Sequence, residues 1–470
     1  MESELLLNKM MMKNIIIYIL YGVLLLSCKK QDEWLEKKSG KSDIIPSTAD
    51  DFQALLDNTD VMNVGYPAIG IIGADNSYVL DQIATTSGTV MERNAYKWAQ
   101  DIYEGNLLAS DWTNPYKVIE YANVVIEGVE KFKTKDIRLL EIKGSALFFR
   151  AFAYYQLAQI YSKQYKETSA SSDLGLPLKL NSDVNDLPQR STLKETYDQI
   201  FKDLLEAESL LPTKVDFKTR PSKPAAQGML SKVYFNTQNY QKAKEFADLV
   251  LARNIELLDF NILSTTVNFP FPTIRNNNPE IIFYGETNNY NFNNRQNMAV
   301  VKELLDSYEP NDLRRKVFYR LNANGTVNFG GRYTGGTAFF CGIALNEILT
   351  IRAESLARLG SFKEAISDLN LLLKYRWKKE NGISTYIDKS VQNSDEALSL
   401  IILERRKELP FTGNLRWEDL RRFNLDSKNA ITITRTIAGE NYKIEPNSPR
   451  YVFPIPPVEI NLNPLIQNIR

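Results

Sequence analysis

The segment GSALFFRAFAYYQLAQIYSK, residues 144–163, places apolar side chains in nearly every direction around a helix. A helix of this composition is expected to be enclosed by protein on all sides. It does not suit a bilayer, because Arg150 and Gln156 interrupt the run and a membrane span needs about twenty mostly apolar residues. We therefore predict the central helix of a soluble helical domain.

Helices that can pack against this segment are predicted further along the chain. Residues 192–195, TLKE, form a capping box, and the apolar stripe behind it ends at Pro212. Two helical hairpins follow, at residues 224–253 and 346–375, with small and aromatic residues at spacings found in tetratricopeptide units. Neither matches the full consensus, but their recurrence at corresponding spacing indicates stacked helix pairs.

Two segments depart from the helical pattern. Residues 167–190 are rich in Ser, Asp, Asn and Pro and are predicted to form a long surface loop. Residues 255–344 contain a candidate buried strand at 280–284 and a hairpin turn at Asn324-Gly325. Helix returns at residues 394–424. The predicted fold class is mainly α, with a tetratricopeptide-like helical-hairpin scaffold and an irregular α+β subdomain inserted between helical hairpins.

The composition excludes several classes of function. Lys plus Arg and Asp plus Glu both number 57, so the formal net charge is +0 and no electrostatic binding to nucleic acid is expected. The absence of histidine removes the usual general base, the commonest metal ligand and every triad that depends on imidazole. Cys28 and Cys341 cannot build a disulfide framework or a zinc cluster. We predict no cofactor and no metal site.

The first 28 residues are typical of an export signal. Lys9 and Lys13 precede an apolar run at residues 15–26, and the run ends at Leu-Leu-Ser-Cys28, which resembles a bacterial lipobox. Lipidation of Cys28 would hold the protein on a membrane without spanning it, whereas the alternative is an ordinary signal peptide with an incidental cysteine. Residues 29–33, KKQDE, resemble the surface-export signal of Bacteroidetes lipoproteins, and the alternative is a solvated tether.

Charged residues cluster near the C-terminal end and need either a structural or a catalytic explanation. They are Glu404, Arg405, Arg406, Glu408, Arg416, Asp419, Arg421 and Arg422. The carboxylates lie among arginines, which favours ionised, paired groups, whereas the acid and base of glycoside hydrolysis need unequal pKa values. We predict that these ion pairs fix one helix to another, and that Arg150 bonds to a neighbouring element in the same way.

Aromatic residues outside the helical hairpins are the candidate ligand contacts. Sugar rings can stack their apolar C–H faces on flat side chains while nearby amides bond to hydroxyls. The candidates are Tyr66, Tyr78, Tyr96 and Trp98 in a first irregular region, and Tyr290, Asn291 and Tyr333 in a second, with Phe292, Asn293, Asn294 and Tyr319 nearby. Ordinary burial is the competing explanation for each ring. The hypothesis is that some of them converge on one exposed patch.

Short motifs occur in a specific order along nearly the whole mature chain. They are the lipobox at Cys28, Trp112 with Tyr116, residues 150–152 (RAF), residues 220–226 (RPSKPAA), residues 404–408 (ERRKE), residues 416–422 (RWEDLRR) and residues 454–457 (PIPP). Together they resemble the SusD/RagB family of outer-membrane nutrient-binding lipoproteins. The chain departs from the family at residues 411–416, where a glutamate usually precedes the glycine.

The resemblance implies a non-catalytic lipoprotein in the cell outer membrane, facing the exterior. It binds an oligosaccharide or a peptide, with a glycan favoured, and delivers it to a SusC-like TonB-dependent outer-membrane transporter. The implied division is a signal peptide at 1–28, a tether at 29–46, a helical region at 47–254 and a RagB/SusD region at 255–470. Two alternatives stay open: a carbohydrate-active lipoprotein enzyme, and a tetratricopeptide scaffold for protein partners.

Overall fold

The computed structural model describes residues 46–105, 109–133, 135–253, 256–273 and 278–470. Cys28 and the predicted export signal therefore lie outside the described residues. Residues Ala49–Arg470 form one compact unit, and most of its regular structure is helical, as the sequence predicts. Within the described ranges, no helix is both long enough and apolar enough to cross a membrane.

Helices joined by short strands form the N-terminal part of this unit. In chain order they are α1 (Ala49–Leu56), α2 (Thr59–Met62), α3 (Ile69–Gly73), β1 (Ser77–Val79), α4 (Asp81–Thr86), α5 (Val90–Tyr96), α6 (Ser110–Glu130), α7 (Ile137–Tyr161), β2 (Leu174–Pro177), β3 (Arg190–Thr192), α8 (Leu193–Leu210), α9 (Lys223–Asn236) and α10 (Tyr240–Leu251).

The C-terminal part mixes short strands with further helices. They are β4 (Ile281–Phe283), β5 (Met298–Val300), α11 (Lys302–Asp306), α12 (Arg314–Phe318), β6 (Tyr319–Leu321), β7 (Val327–Phe329), β8 (Ile343–Ala344), α13 (Leu345–Arg358), α14 (Phe362–Lys374), β9 (Lys379–Glu380), β10 (Ile383–Ser384), α15 (Ser394–Glu408), α16 (Leu415–Phe423), β11 (Ile433–Ile437), β12 (Glu440–Ile444) and α17 (Pro457–Leu462). The strands form antiparallel pairs, namely β1–β5, β2–β3, β4–β8, β6–β7, β9–β10 and β11–β12.

Helix α7 is the buried centre of the structure. Every residue from Ala146 to Tyr161 is buried, which confirms the prediction of an enclosed helix. Helices α6 and α8 pack along it, and β4 closes a further side by inserting Phe283 among Phe148, Phe149 and Phe152, with ring centroids 4.7–5.7 Å apart. The irregular segment therefore helps to cover the central helix.

Arg150 fixes three helices together inside this core. Its Nε and Nη2 atoms donate to the two carboxylate oxygens of Asp203 on α8 at 2.8 Å, and its Nη1 donates to Asn123 Oδ1 on α6 at 2.9 Å. Both side chains of the ion pair are almost fully buried. Because the planar guanidinium forms hydrogen bonds in fixed directions, Arg150 links α7 to α6 and α8. This confirms the prediction that Arg150 bonds to neighbouring elements.

The predicted capping box and helical hairpins are confirmed. Thr192 and Glu195 exchange hydrogen bonds at the start of α8. Helices α9 and α10 form the first hairpin, α13 and α14 form the second, and α10 packs on α13. The apolar cluster beneath α13, α14 and α15 is separate from the main core. The result is a stack of helix pairs.

The irregular segment has the predicted strand and hairpin. Strand β4 lies within the predicted range, and β6 and β7 are joined by a turn in which Gly325 has φ +82°, a value that suits glycine. Its aromatic residues form an apolar cluster of their own. The prediction for residues 167–190 was wrong in part, because this segment contains β2, which pairs with β3. The side chain of Leu176 is buried, and its main-chain N–H donates to Thr196 Oγ1 on α8 at 3.0 Å, which holds β2 against that helix.

The charged cluster of α15 and α16 is structural. Glu408 accepts hydrogen bonds from Arg314 at 3.2 Å and from Arg376 at 2.9 Å, while Arg376 also reaches Glu280 at 2.8 Å. Arg405 donates to Asp419 at 3.1 Å. These side chains are buried, and each of these carboxylates accepts from a guanidinium. The prediction of helix-fixing ion pairs is confirmed for these residues, whereas Arg421 of the predicted cluster donates to main-chain carbonyl oxygens instead of a carboxylate.

The substitution Arg150→Met is expected to lower the free energy of unfolding by about 3–5 kcal/mol, because it leaves Asp203 as an unpaired buried charge. Chemical denaturation monitored by circular dichroism measures the change. Arg138→Met is the matched control, since Arg138 pairs with Asp50 at an exposed position and its loss should cost about 1 kcal/mol or less. Equal losses from the two variants would contradict this account of α7.

Candidate ligand-binding site

The two irregular regions meet at an open groove of about 490 Å³. It is lined by residues 77–81, Asp75, Tyr96, Val301 and residues 433–436, and we call it the Tyr78 groove. Strand β1 supplies one wall and is held by β5, with Tyr78 opposite Ala299. Strand β11 supplies the other wall. Three distant parts of the sequence therefore form one surface.

Strand alternation decides which side chains reach this surface. On β1 the side chain of Val79 is buried, whereas that of Tyr78 is 38% exposed. On β11 the buried Ile433, Arg435 and Ile437 alternate with the exposed Thr434 and Thr436. Because successive side chains of a strand point to opposite faces, the groove presents one tyrosine ring and a row of hydroxyls.

A buried arginine and two aromatic rings form the floor. The Arg435 guanidinium lies 4.0 Å from the ring centroid of Tyr96 and 4.5 Å from that of Trp98, and it donates to the carbonyl oxygens of Tyr96 and Ala74. The Trp98 indole N–H donates to Gly73 O at 3.0 Å. Burial lowers the pKa of Arg435 to about 10. The floor is a fixed polar and aromatic layer.

An ion-paired carboxylate holds one end of the groove. Arg416 donates to Asp75 through Nε at 2.6 Å and through Nη2 at 2.8 Å, and Arg406 Nη2 lies 3.3 Å from the same carboxylate. Burial by itself raises the pKa of Asp75, but the two arginines outweigh it and hold the pKa well below its ordinary range. Asp75 is therefore ionised and anchors β1 to α15 and α16.

The structure places the seven predicted contact residues at different depths. Tyr78 and Tyr96 line the groove, and Trp98 lies behind it. Asn291 is exposed on the turn before β5, and Tyr290 packs between the two largest apolar clusters.

The two remaining rings lie inside the protein. Tyr66 is buried and its hydroxyl donates to Met62 O at 2.6 Å. Tyr333 is buried and its hydroxyl donates to Glu280 at 2.5 Å. In this conformation neither ring face is open to a ligand. A role in binding stays a prediction for all seven residues.

Sequence reasoning missed the contribution of β11. Arg435, Thr434 and Thr436 were not among the candidate residues, although in ITITRTI at residues 431–437 isoleucine alternates with threonine, as in a half-buried strand, except at Arg435. That signal was sufficient to predict that Thr434 and Thr436 face solvent, but not that Arg435 is buried. Within the described ranges, no set of three or more carboxylate or thiol groups could hold a metal ion.

Two family models match the N-terminal and the C-terminal parts of the chain. One, described as starch-binding associating with outer membrane, matches residues 33–235, and the other, described as the SusD family, matches residues 274–469. The chain belongs to the SusD/RagB family. The recognition made from the sequence motifs is thereby confirmed. The first of these models is described by starch binding and not by a reaction, in agreement with the prediction that the chain is not an enzyme.

A curated relative and several solved structures are similar to this family member. SusD-like protein P2 of Formosa agariphila is 28% identical over 166 residues, which are 35% of this chain and 31% of that protein. The chain thus matches about a third of that relative's length.

The solved structures show a common fold. A SusD superfamily protein from Bacteroides thetaiotaomicron has a TM-score of 0.72 at 24% identity, covering 90% of this chain and all of that one. A putative sugar-binding protein from Bacteroides vulgatus has a TM-score of 0.72 at 20% identity, covering 91% of this chain and 99% of that one. A laminarin-binding SusD-like protein has a TM-score of 0.61 at 17% identity, covering 89% of this chain and 97% of that one.

Asp75→Asn is expected to lower the free energy of unfolding by about 2 kcal/mol at pH 7, because Arg416 and Arg406 lose a charged acceptor. The pKa of Asp75 is depressed in the folded protein, so its contribution is present above the ordinary aspartate pKa and is lost as the pH falls. The difference between wild type and variant should therefore shrink towards acid pH. Urea unfolding at several pH values measures it, with the exposed Asp81→Asn as control. A difference independent of pH would contradict the assignment.

Proposed function

We propose that this protein binds a glycan in the Tyr78 groove and delivers it to a SusC-like TonB-dependent transporter in the outer membrane. The observation that carries the proposal is an exposed tyrosine ring facing a row of threonine hydroxyls, in a family whose model is described as starch-binding. The proposal includes no reaction, so the protein acts by capture and release.

The groove has the groups that a neutral sugar needs. The ring of Tyr78 offers a flat apolar face for the C–H groups of a pyranose, and Thr434 and Thr436 offer donors and acceptors to its hydroxyls. Arg435 and the rings of Tyr96 and Trp98 hold the floor in place before any ligand arrives, which limits the ordering cost of binding. In this proposal Tyr78 contacts the sugar, and Tyr96 and Trp98 position the surface beneath it.

The other predicted contacts fit around this centre. The Phe292 ring packs edge-on against Tyr96 at 5.6 Å, so the turn that carries Tyr290 and Asn291 adjoins the groove. We propose that Asn291 meets a neighbouring residue of an extended glycan. Tyr66 and Tyr333 are proposed to stabilise the two irregular regions from inside. A polymer that spans several such contacts gains affinity that one ring cannot supply.

Delivery requires the protein to stay beside its transporter. The description of the family model includes association with the outer membrane, and lipidation of Cys28 would supply an anchor without a membrane-spanning helix. Residues 29–46, the predicted tether, would separate Cys28 from the helical scaffold. Orientation towards the cell exterior is part of the same proposal.

Tyr78→Ala is expected to weaken glycan binding about tenfold, because the stacking face is lost. Isothermal titration with oligosaccharides from starch and from laminarin, and with a peptide mixture, measures the affinity and identifies the ligand class. Tyr78→Phe should bind like wild type, and Phe217→Ala removes a ring that is 60% exposed outside the groove and should change nothing. Unchanged binding by Tyr78→Ala, or binding of peptides alone, would contradict the proposal.

Cys28→Ala is expected to release the protein from the outer membrane, because the acylated residue is lost. Membrane fractionation and labelling with a fatty-acid analogue measure the anchor, and purification from detergent extracts shows whether a large β-barrel protein accompanies the wild type. Cys341→Ala is the control, since Cys341 is buried inside the structure. A Cys28→Ala protein that stays on the membrane would refute lipidation at this residue.

A further inference from the structure

A second, larger groove of about 770 Å³ lies beyond the C-terminal end of α7. Its walls are the segment after α7, the end of α16, and residues near 450 and 467. We call it the Arg421 groove. It contains none of the residues that line the Tyr78 groove, and its volume falls within the range of about 300–1,000 Å³ that is typical of small-molecule sites.

Arg421 is a buried cation on this wall that lacks a carboxylate partner. It is 2% exposed, and its Nη1 and Nη2 atoms donate to the carbonyl oxygens of Gln159 and Ser162. Its Nε has no hydrogen-bond partner among the described residues. Burial lowers the pKa of Arg421. Burial would also lower the pKa of its neighbour Arg422, but the carboxylates of Glu354 and Asp419 raise it.

An uncompensated buried guanidinium is costly, and this one is only partly compensated. The two carbonyl oxygens at the end of α7 carry the negative partial charge of a helix C-terminus, which is weaker than a full counter-charge. The charge of Glu418 acts on Arg421, but among the described residues no carboxylate accepts a hydrogen bond from it, so the adjoining groove is where a negative group from a ligand would complete the pairing.

The same wall holds an unused hydrogen-bond acceptor. The side-chain Nε2 of Gln164 donates to Asn236, while its Oε1 is buried without a partner among the described residues. A buried amide oxygen without a partner can accept a hydrogen bond from a hydroxyl or an amine of a ligand. A ligand that bears both an acidic group and hydroxyls therefore matches the wall better than a simple anion does.

The entrance to the groove favours the same kind of ligand. Lys163 and Lys166 line it, and the acid on the same rim, Asp173, is already paired with Lys163 at 2.7 Å. Apolar surface from Leu425, Val452 and Ile469 lies beside these charges. A pyranose presents apolar C–H faces between its polar edges, so charge and shape both suit an acidic sugar.

We propose that the Arg421 groove is a second binding site, which takes a saccharide carrying a carboxylate, that is, a uronic acid. The carboxylate lies towards Arg421, and a ring hydroxyl lies towards Gln164. The site is separate from the Tyr78 groove and goes beyond the function proposed above, since it selects for charge.

Titration of the full-length protein with uronic acids tests this inference. D-glucuronate and D-galacturonate are compared with D-glucose and D-galactose, which have a hydroxymethyl group in place of the carboxylate, and with acetate, which has the carboxylate alone. Isothermal titration and ligand-observed NMR are expected to show at least tenfold tighter binding of one uronate than of its neutral counterpart and of acetate. The uronate affinity should fall as salt is raised.

Substitutions at the entrance locate the site without disturbing the core. Ile469→Asp adds a negative charge at a position that is 88% exposed and should weaken uronate binding about fivefold, whereas Ile469→Asn should not. Ile387→Asp, at an equally exposed position outside the groove, is the control. Arg421→Met should remove binding and Arg421→Lys should keep part of it; if these variants fail to fold, the Ile469 pair decides.

Several results would overturn the inference. They are equal affinity for uronate and neutral sugar, acetate binding as tightly as the uronates, no binding of either uronate, or equal effects of Ile469→Asp and Ile387→Asp. Tyr78→Ala should leave uronate binding intact, and Ile469→Asp should leave binding of neutral glycans intact. A failure of this proposal can therefore be told apart from a failure of the Tyr78 groove.

Discussion

The complete burial of α7 is the constraint on which the rest of the structure depends. A helix that is apolar in every direction cannot be covered by one partner, so α6, α8 and β4 each take a side. Its last turn is closed by the far end of the chain, where the Phe453 N–H donates to Ile160 O at 2.9 Å. The hydroxyl of Tyr155 reaches Glu418 on α16 at 2.7 Å. Burial of one helix thus joins segments that are 260–300 residues apart.

Arginine performs two distinct tasks in this framework. Arg150, Arg376 and Arg405 meet carboxylates and cross-link helices. Arg435 and Arg421 instead donate to main-chain carbonyl oxygens and stand beside grooves. The first group stabilises the scaffold, because removal of either partner leaves a buried charge. The second group keeps positive charge near solvent-filled space, and it is there that recognition of a ligand is proposed.

The sequence predicts the helical scaffold well and the site only in part. The unbroken apolar run predicts α7, and small and aromatic residues at tetratricopeptide spacing predict the two hairpins. The pairing of β1 with β5 joins residues more than 200 positions apart through strands of three residues, and such short segments carry no register signal.

The sequence also did not show how deeply each aromatic side chain is buried. Tyr78 and Tyr96 have the same chemistry, yet one is exposed on a strand and the other stacks on Arg435. The difference depends on β11, a strand distant in sequence, whose Arg435 packs on Tyr96. Composition could therefore identify the irregular regions but not which of their aromatic residues are exposed. The alternation in β11 was the one local signal available.

The floor of the Tyr78 groove also has a consequence for how the protein is made. Arg435 lies 339 residues after Tyr96, whose carbonyl oxygen it contacts, so the pocket cannot be assembled until almost all of the polypeptide has been synthesised. Chains are made from the N-terminus onward, and a nascent chain that holds only the aromatic half would have no rigid receptor surface. If the Tyr78 groove binds a glycan as proposed, binding would become possible only after β11 has been synthesised.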